Sequence, residues 1–404
     1  MSGQVPRVYM SGSTPVLRNL ALSLAQHSKQ PNPVPNIILL LKDNLKLNRF
    51  LEQGSYLSSS LSAGNAQSNL RKQFMASCEP PKFANGHIAP IENLIISDST
   101  YFDFKSNIKK YSQCLNNDEH PSNVLLLNPG LDTVRYYETQ WLKQNLNANL
   151  FVATTQPGVF SKVGEFLSVK NKDVLAPLTL QISQINKVIE VEEENSHSDQ
   201  APEASSTTRD DAQNETSANV LSFDAQKEHE DYEENFLQLK AKNPLLDLID
   251  ATSKEIPQQL IATRKSYEHF LIEELEKLCI SSCVGAMNVI FDENNMCLLK
   301  TSNNLEGIWN RMTAEFSHLV AQMYPNLSYA FSNERMNNLI LKYLNENKNS
   351  TLPMQQELNT HKKYNSIHRS SGLLVRMASF NKLSLPTTEL IYNMAKSKIN
   401  LKNL

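Results

Sequence analysis

Glycine is scarce in this chain, with 11 in 404 residues, less than half the ~7 % usual in proteins. A nucleotide enzyme built on glycine-rich phosphate loops ordinarily contains more. Long apolar runs are missing too. The longest, Ile37–Leu41, falls far short of the roughly 20 residues a spanning helix needs, so integral membrane topology is not expected. The five cysteines, Cys78, Cys114, Cys279, Cys283 and Cys297, form no CxxC pair and no secreted framework. Cys279 and Cys283 fall four apart on an expected helix, where core thiols are the simpler reading than a metal site lacking two further ligands. A reducing compartment follows.

A net charge of −3 hides a division. Glu190–Glu234 holds fifteen Asp and Glu against Arg209 and Lys227, which leaves the rest of the chain at about +10. That acidic window has few aromatics and no periodicity, and is expected to be a disordered insert over 189–235. The stretch His361–Leu404 carries eight Lys and Arg against Glu389, and Met1–Cys78 eight against two acids. Such basic surface attracts polyanions such as RNA, ribosomes or anionic lipid, or simply solubilises the chain.

The pattern before the insert alternates strand and helix. Pro6–Gly12, Asn36–Lys42, Asn93–Ser97, Val124–Leu127 and Leu150–Thr154 are short continuous apolar runs, as in strands covered on both faces. Helices are expected at Val16–Ser28, Asn44–Gln53, Tyr101–Leu115 and Leu131–Asn145, and a loop at Ser55–Asn69. Phe166–Val169 and Leu178–Ile182 suit an antiparallel closing hairpin. This predicts a mostly parallel α/β sheet. Helical periodicity takes over beyond the insert, at Phe236–Thr252, Gln258–Ile290, Asn304–Met323, Asn333–Asn347, Ser366–Asn381 and Thr387–Leu401. Ser332 is the expected N-cap of Asn333–Asn347. The scheme is an α/β domain over 1–188, the insert over 189–235 and an all-α domain over 236–404. The first expected strand begins near residue 6, leaving no room for a cleavable presequence. Met1–Ser28 is acid-free, with Arg7, Arg18 and several serines, a composition compatible with mitochondrial import.

A dinucleotide-binding turn requires G-x-G-x-x-G, for a tight turn, close pyrophosphate approach and close helix packing. The register here is Met10-Ser11-Gly12-Ser13-Thr14-Pro15, and only Gly12 matches. Met10 and Pro15 replace the other two glycines, so no cofactor is expected.

The strings PRVYMSGSTPVLRNLALSLAQ, LLLKDNLKLNRFLEQGS, ENLIISD, LLLNPGLD and ATTQPG together resemble the nucleotide-binding domain of ketopantoate reductases. EKLCISSC at Glu276–Cys283, SIHRSSG at Ser366–Gly372 and LPTTELIYNMAK resemble the helical domain of that family. The resemblance implies a Rossmann-like sheet followed by a helical domain like the C-terminal domain of 6-phosphogluconate dehydrogenase. It implies that Lys277 stands at the family's proton-donating lysine. Ser281 and Gly285 stand where that family has substrate-binding asparagines, and Ser366 where it has a catalytic glutamate. His368 replaces an aspartate, and Asp98, Ser99 and Thr100 replace the lysine region after the Asn93–Ser97 strand. Lys277 is thus vestigial, without its partners, and a non-catalytic fold is expected. The alternative is a working NAD(P)H-dependent 2-dehydropantoate reductase.

KDNLKLNRFL, RKQFMASCEPPKFANGHIAPIENLIISDS and NLFVATTQPG also resemble the yeast mitochondrial translational activators of cytochrome b synthesis. That resemblance implies a protein peripheral to the matrix side of the mitochondrial inner membrane. Its implied partners are the 5′ untranslated leader of cytochrome b mRNA, the mitochondrial ribosome and other translational activators. No RNP aromatic signature, zinc knuckle or KH-type GxxG loop is evident. Direct RNA or ribosome contact would therefore rest on Lys362, Lys363, Arg369 and Arg376. A general mitochondrial scaffold remains a further reading, with the acidic insert binding partners or serving only as a solvated linker. His368 reads as a surface histidine, and Trp141 and Trp309 as packing residues.

Overall fold

The computed structural model describes residues 7–26, 36–63, 66–98, 100–115, 121–144, 146–155, 160–162, 166–170, 177–185, 243–350, 352–359 and 366–402. The acidic stretch 189–235, Lys362, Lys363 and Ser99 lie outside them.

An eight-stranded sheet organises the first half. Its strands are β1 (Arg7–Gly12), β2 (Asn36–Leu40), β5 (Met75–Ser77), β6 (Asn93–Ser97), β7 (Ser122–Leu127), β8 (Ala148–Thr155), β11 (Leu178–Ile185) and β12 (Leu260–Arg264). Their order is β12-β11-β8-β7-β6-β1-β2-β5. The run β5-β2-β1-β6-β7-β8 is parallel and reproduces the doubly wound Rossmann order, with its reversal between β1 and β6. β6 and β7 are buried throughout, as their unbroken apolar sequences require.

Helices α1 (Pro15–Leu24) and α2 (Asn44–Glu52) follow β1 and β2, and α3 (Tyr101–Tyr111) and α4 (Leu131–Lys143) follow β6 and β7. Short polar side chains start three of them. Thr14 accepts from the Leu17 N–H, Asp43 from Lys46 and Thr100 from Asp103. α3 and α4 cover one face of the sheet in a core that runs on into the helical half, and α1 covers the other.

Three segments differ from the sequence reading. Ser55–Asn69, expected as a loop, lies mostly in the hairpin of β3 (Tyr56–Ala63) and β4 (Ala66–Gln73). With β9 (Phe160–Lys162) and β10 (Leu167–Lys170) it makes a four-stranded sheet ordered β4-β3-β10-β9. Leu57 and Ser59 are buried in alternation, and the Ser59 hydroxyl donates to Asn19 on α1 at 2.6 Å. Serines stand where apolar residues would have marked the strand. The expected hairpin of Phe166–Val169 with Leu178–Ile182 does not form. β10 pairs with β3 and β9, while β11 runs antiparallel to β8 and parallel to β12. The expected helix Gln258–Ile290 begins as β12. Ser266 then caps α6 (Tyr267–Ile280), accepting from His269. Residues 244–264 therefore pack with the sheet. Helix α5 (Pro244–Glu255) contributes Leu245, Leu246, Leu248 and Ile249 to the α1 face.

Beyond Ser266 the chain is helical. α6 passes through a π-helical segment, Ser281–Gly285, into α7 (Ala286–Phe291). Then come α8 (Asn295–Lys300), α9 (Ser302–Met323), α10 (Asn333–Glu346), α11 (Pro353–Asn359), α12 (Ser371–Phe380) and α13 (Pro386–Lys402). Ser332 caps α10 as expected, accepting from Arg335. Trp309 is buried in the helical core, and Trp141 is buried with its Nε1 donating to the Leu146 carbonyl at 2.7 Å.

At the edge of the sheet opposite the carboxyl ends of the parallel strands runs a ladder of buried amides. Asn93 donates to the Arg7 carbonyl, and Asn123 donates to Asn93 at 3.0 Å. The Asn123 oxygen accepts from Asn149 at 3.0 Å and Asn243 at 2.7 Å. Asn243 also caps α5, accepting from Leu246. Replacing Asn123 by Ala leaves several buried amide groups unpaired, so Asn123→Ala is expected to cost about 3 kcal/mol. Urea unfolding should show this as a lower midpoint at unchanged slope; a loss below about 1 kcal/mol would remove the ladder from the account.

Candidate functional site

In a doubly wound sheet the ligand site lies at the carboxyl ends of the strands where their order reverses. A cleft stands there, lined among others by Gly12, Ser13, Arg18, Lys42, Asp98 and Asp103. Its volume is about 90 Å³, against roughly 300–1,000 Å³ for small-molecule sites. The turn is filled by its own chain. Gly12 has φ +131°, and a Cβ on it would stand 1.9 Å from the Ser97 carbonyl oxygen. Packing against β6 is thus sufficient reason for this glycine. The Thr14 hydroxyl lies 2.6 Å from that of Ser97. Met10 is inside β1, opposite Leu39 and Ile95, with its side chain in the core. Pro15 opens α1, where a missing N–H costs little.

The cleft also holds Arg18, Lys42 and Lys46, but the charge nearest the turn is a carboxylate, which opposes phosphate there. Asp98 Oδ1 would lie 3.2 Å from a Cβ on Gly12, so its carboxylate borders the turn. Burial pushes this carboxyl up to about 6, against a hydrogen bond from Asn107 at 2.7 Å. Asp103 is raised by burial, but hydrogen bonds from Thr100 and Lys42 outweigh this and hold it below its ordinary value. Lys42 is spent on Asp103 at 3.0 Å and is raised by that bond. A nicotinamide dinucleotide does not fit: the space is too small, Gly12 is committed to β6, and a carboxylate borders the phosphate position.

A second cleft, of about 360 Å³, lies between α6 and the strands β8 and β11. Lys277 lines it with Glu273, Glu276, Thr154, Thr155, Thr179 and Gln181. Its charges are paired: Lys277 with Glu274 at 2.7 Å, Glu273 with Lys265 and Glu276 with Arg335. Burial raises the Glu274 carboxyl, against the pull of Lys277. Ser281 begins the π-helical segment. Gly285 ends it, and a Cβ there would meet Met354 and Leu352 at 3.2 and 3.3 Å. Ser366 donates its N–H and hydroxyl to Glu357 at 2.6 and 2.8 Å. Among the described residues no side-chain hydrogen bond or ion pair joins the Lys277 ammonium to Ser281, Gly285 or Ser366; the Ser281 N–H bonds the Lys277 and Leu278 carbonyls only as the end of the helix.

Two expected RNA contacts have partners inside the protein. Arg369 clasps Asp132 at the start of α4 through Nε and Nη2, at 3.1 and 3.2 Å. Arg376 donates to the His368 carbonyl at 2.9 Å, and His368 Nδ1 lies 2.8 Å from the Tyr392 hydroxyl. Burial lowers the His368 imidazole, with help from Lys396 and Arg376. The sequence reading missed Asp132 because it lies in the other half of the chain. Among the described residues, Cys279 and Cys283 are free buried thiols and no His, Cys, Asp or Glu cluster could hold a metal. No described helix is long and apolar enough to cross a membrane.

The model of the ketopantoate reductase PanE/ApbA C-terminal family matches residues 270–399. Cytochrome B translational activator CBS2 of Saccharomyces cerevisiae (strain ATCC 204508 / S288c) is 28% identical over 412 residues, covering 98% of this chain and 96% of that protein. Solved structures share the fold at low identity. PanE/ApbA family ketopantoate reductase from Ralstonia eutropha JMP134 has a TM-score of 0.58 and 12% identity, over 98% of this chain and all (100%) of that one. A D-mandelate dehydrogenase bound to NADH and anilino(oxo)acetate has a TM-score of 0.58 and 12% identity, over 98% and 99%. The 2-dehydropantoate 2-reductase of Porphyromonas gingivalis W83 has a TM-score of 0.54 and 12% identity, over 96% and 99%.

The raised Asp98 carboxyl fixes the sign of a pH effect. Its folded value lies above the unfolded one, so the folded protein holds the proton more tightly, and that advantage disappears as pH rises through about 6. Asp98→Asn is therefore expected to stabilise the protein by about 1–3 kcal/mol at pH 8 and hardly at all near pH 4. Urea unfolding at the two pH values tests this; an equal effect at both would mean the carboxyl is not strained by burial.

Proposed function

We propose that this chain is a mitochondrial translational activator of cytochrome b mRNA, a pseudoenzyme that keeps the reductase framework without its reaction. One observation carries the reading: the likeness to the yeast activator spans both halves, 98% of the chain at 28% identity. The filled turn supports it. Gly12 is occupied by Ser97, Asp98 opposes phosphate, and the charges around Lys277 are mutually neutralised.

On this reading the protein acts at the 5′ untranslated leader of the message and on the mitochondrial ribosome. It works beside other translational activators, as a peripheral protein on the matrix side of the inner membrane. Its task is positional. It raises the local concentration of one message at the ribosome, which requires binding surfaces and no group transfer. The positive charge outside the acidic stretch suits contact with polyanions. Ketopantoate reduction is the second reading, favoured by the retained Lys277 and by the fold.

Deleting the gene and pulse-labelling mitochondrial products is expected to abolish new cytochrome b while the other products persist. A uniform decline would instead place the protein in general translation. Titration of the purified protein with NADPH is expected to give no saturable fluorescence change. Micromolar binding with ketopantoate turnover would establish the second reading.

A further inference from the structure

The sequence phrase SCEPPKFANGHIAPI has no part in either cleft. It forms a short finger between β5 and β6, and residues 82–88 at its tip are all exposed. We propose that this finger and the adjoining strand β4 form a docking surface for single-stranded RNA. The proposal rests on the translational reading and names the surface that would serve it.

The finger is preorganised. A bridge pairs Lys82 with Ile88, the Phe83 N–H donates to the His87 carbonyl at 2.8 Å, and Gly86 donates back to Phe83 at 2.9 Å. Gly86 has φ +86° with open space around it, so the turn's conformation requires a glycine and no packing does. The result is a phenylalanine 54% exposed on an ordered turn. More than half of this side chain is left to solvent on a turn that its own backbone hydrogen bonds define.

A second aromatic site lies along the same chain. β4 is an edge strand of the smaller sheet and β5 an edge strand of the larger, and only Phe74 separates them. On β4 the Arg71 guanidinium lies 4.0 Å from the centre of the Tyr56 ring, and exposed Lys72 follows it on the strand's other face. Arg71 to Phe83 spans at most about 40 Å of extended chain. The Tyr56 ring has the Arg71 guanidinium over it, and Phe83 follows Lys82 in the chain.

Charge selects the occupant. Lys109 and Lys110 end α3 beside the finger's root, where Lys110 Nζ donates to the Cys78 carbonyl at 2.5 Å. Against Arg71, Lys72, Lys82, Lys109 and Lys110 stand Glu79 and Glu92. Glu79 is engaged with Lys82 in an exposed pair at 3.0 Å, which phosphate can displace readily. The exposed Phe83 ring, the Arg71 guanidinium stacked on half-buried Tyr56 and the excess positive charge suit unpaired bases and their phosphates. A duplex hides its bases and could use only the charge.

The test is fluorescence anisotropy of the full-length protein with labelled single strands of about 20 nucleotides, from the cytochrome b leader and of unrelated sequence, across a salt series. Phe83→Ala is expected to weaken binding about tenfold, and Phe83→Tyr to preserve it. Arg71→Ser with Lys72→Ser should flatten the slope of log affinity against log salt by about 1.4. Lys398→Ser on α13 should change neither. Circular dichroism melting checks that each variant is folded. Three results would overturn the proposal: unchanged affinity in the folded variants, equal affinity for duplex RNA, or no RNA binding by the wild type. Ribosome co-sedimentation that survives nuclease but is lost in Phe83→Ala would also overturn it, making the finger a protein contact. Pulse-labelling of the deletion judges the translational reading separately from all of these.

Discussion

Ser97, the last residue of β6, determines what the first turn of this protein can be. Its carbonyl fills the space where Gly12 would need a Cβ, and its hydroxyl meets the Thr14 hydroxyl that caps α1. In a cofactor-binding Rossmann turn the space beside the middle glycine belongs to a pyrophosphate, and the helix N-terminus supplies its counter-charge. Here the turn is closed against the neighbouring strand and Asp98 follows at once. A closed turn with a carboxylate beside it is stable without any ligand. The fold can then persist without a molecule in that turn.

The sheet and the helices behave as one body. One apolar core runs from Tyr9 and Leu94 to Ile391 and Ile399. Polar contacts cross the same boundary: Arg369 with Asp132, and the Tyr267 hydroxyl with Glu138 at 2.9 Å. Burial raises the carboxyl of Glu138 against that hydrogen bond. The Arg369 pair is partly exposed and is worth about 1 kcal/mol or less. The shared core therefore dominates the association. A core continuous across the boundary means that separating the two halves would expose apolar surface.

How much could be read from the sequence depended on what each residue type reveals by itself. β1, β2, β6, β7 and β8 were evident because their apolar runs are unbroken, and the loss of the glycine turn because Met10 and Pro15 are conspicuous. β3 and β4 were hidden because serines such as Ser59 occupy inward positions, satisfied there by Asn19. β12 was hidden because Leu260–Arg264 runs straight into a helical pattern, and pairing with β11 decides its conformation. The burial of Asp98 was invisible because it arises from packing across the cleft. Arg369 looked free for RNA because Asp132, its partner, stands 237 positions away.

The acidic stretch leaves from β11 and the described chain resumes at Asn243, which caps α5 and completes the amide ladder. It therefore interrupts a folded unit. Residues on its far side, α5 and β12, are held to those on its near side by ladder hydrogen bonds and apolar contact. The register of β12 on β11 is fixed by pairs such as Leu178 with Leu260, on opposite sides of the stretch. Two pieces of sequence far apart in the chain thus share one sheet and one amide ladder, so a substitution at Asn243 reaches strands that precede it by more than a hundred positions.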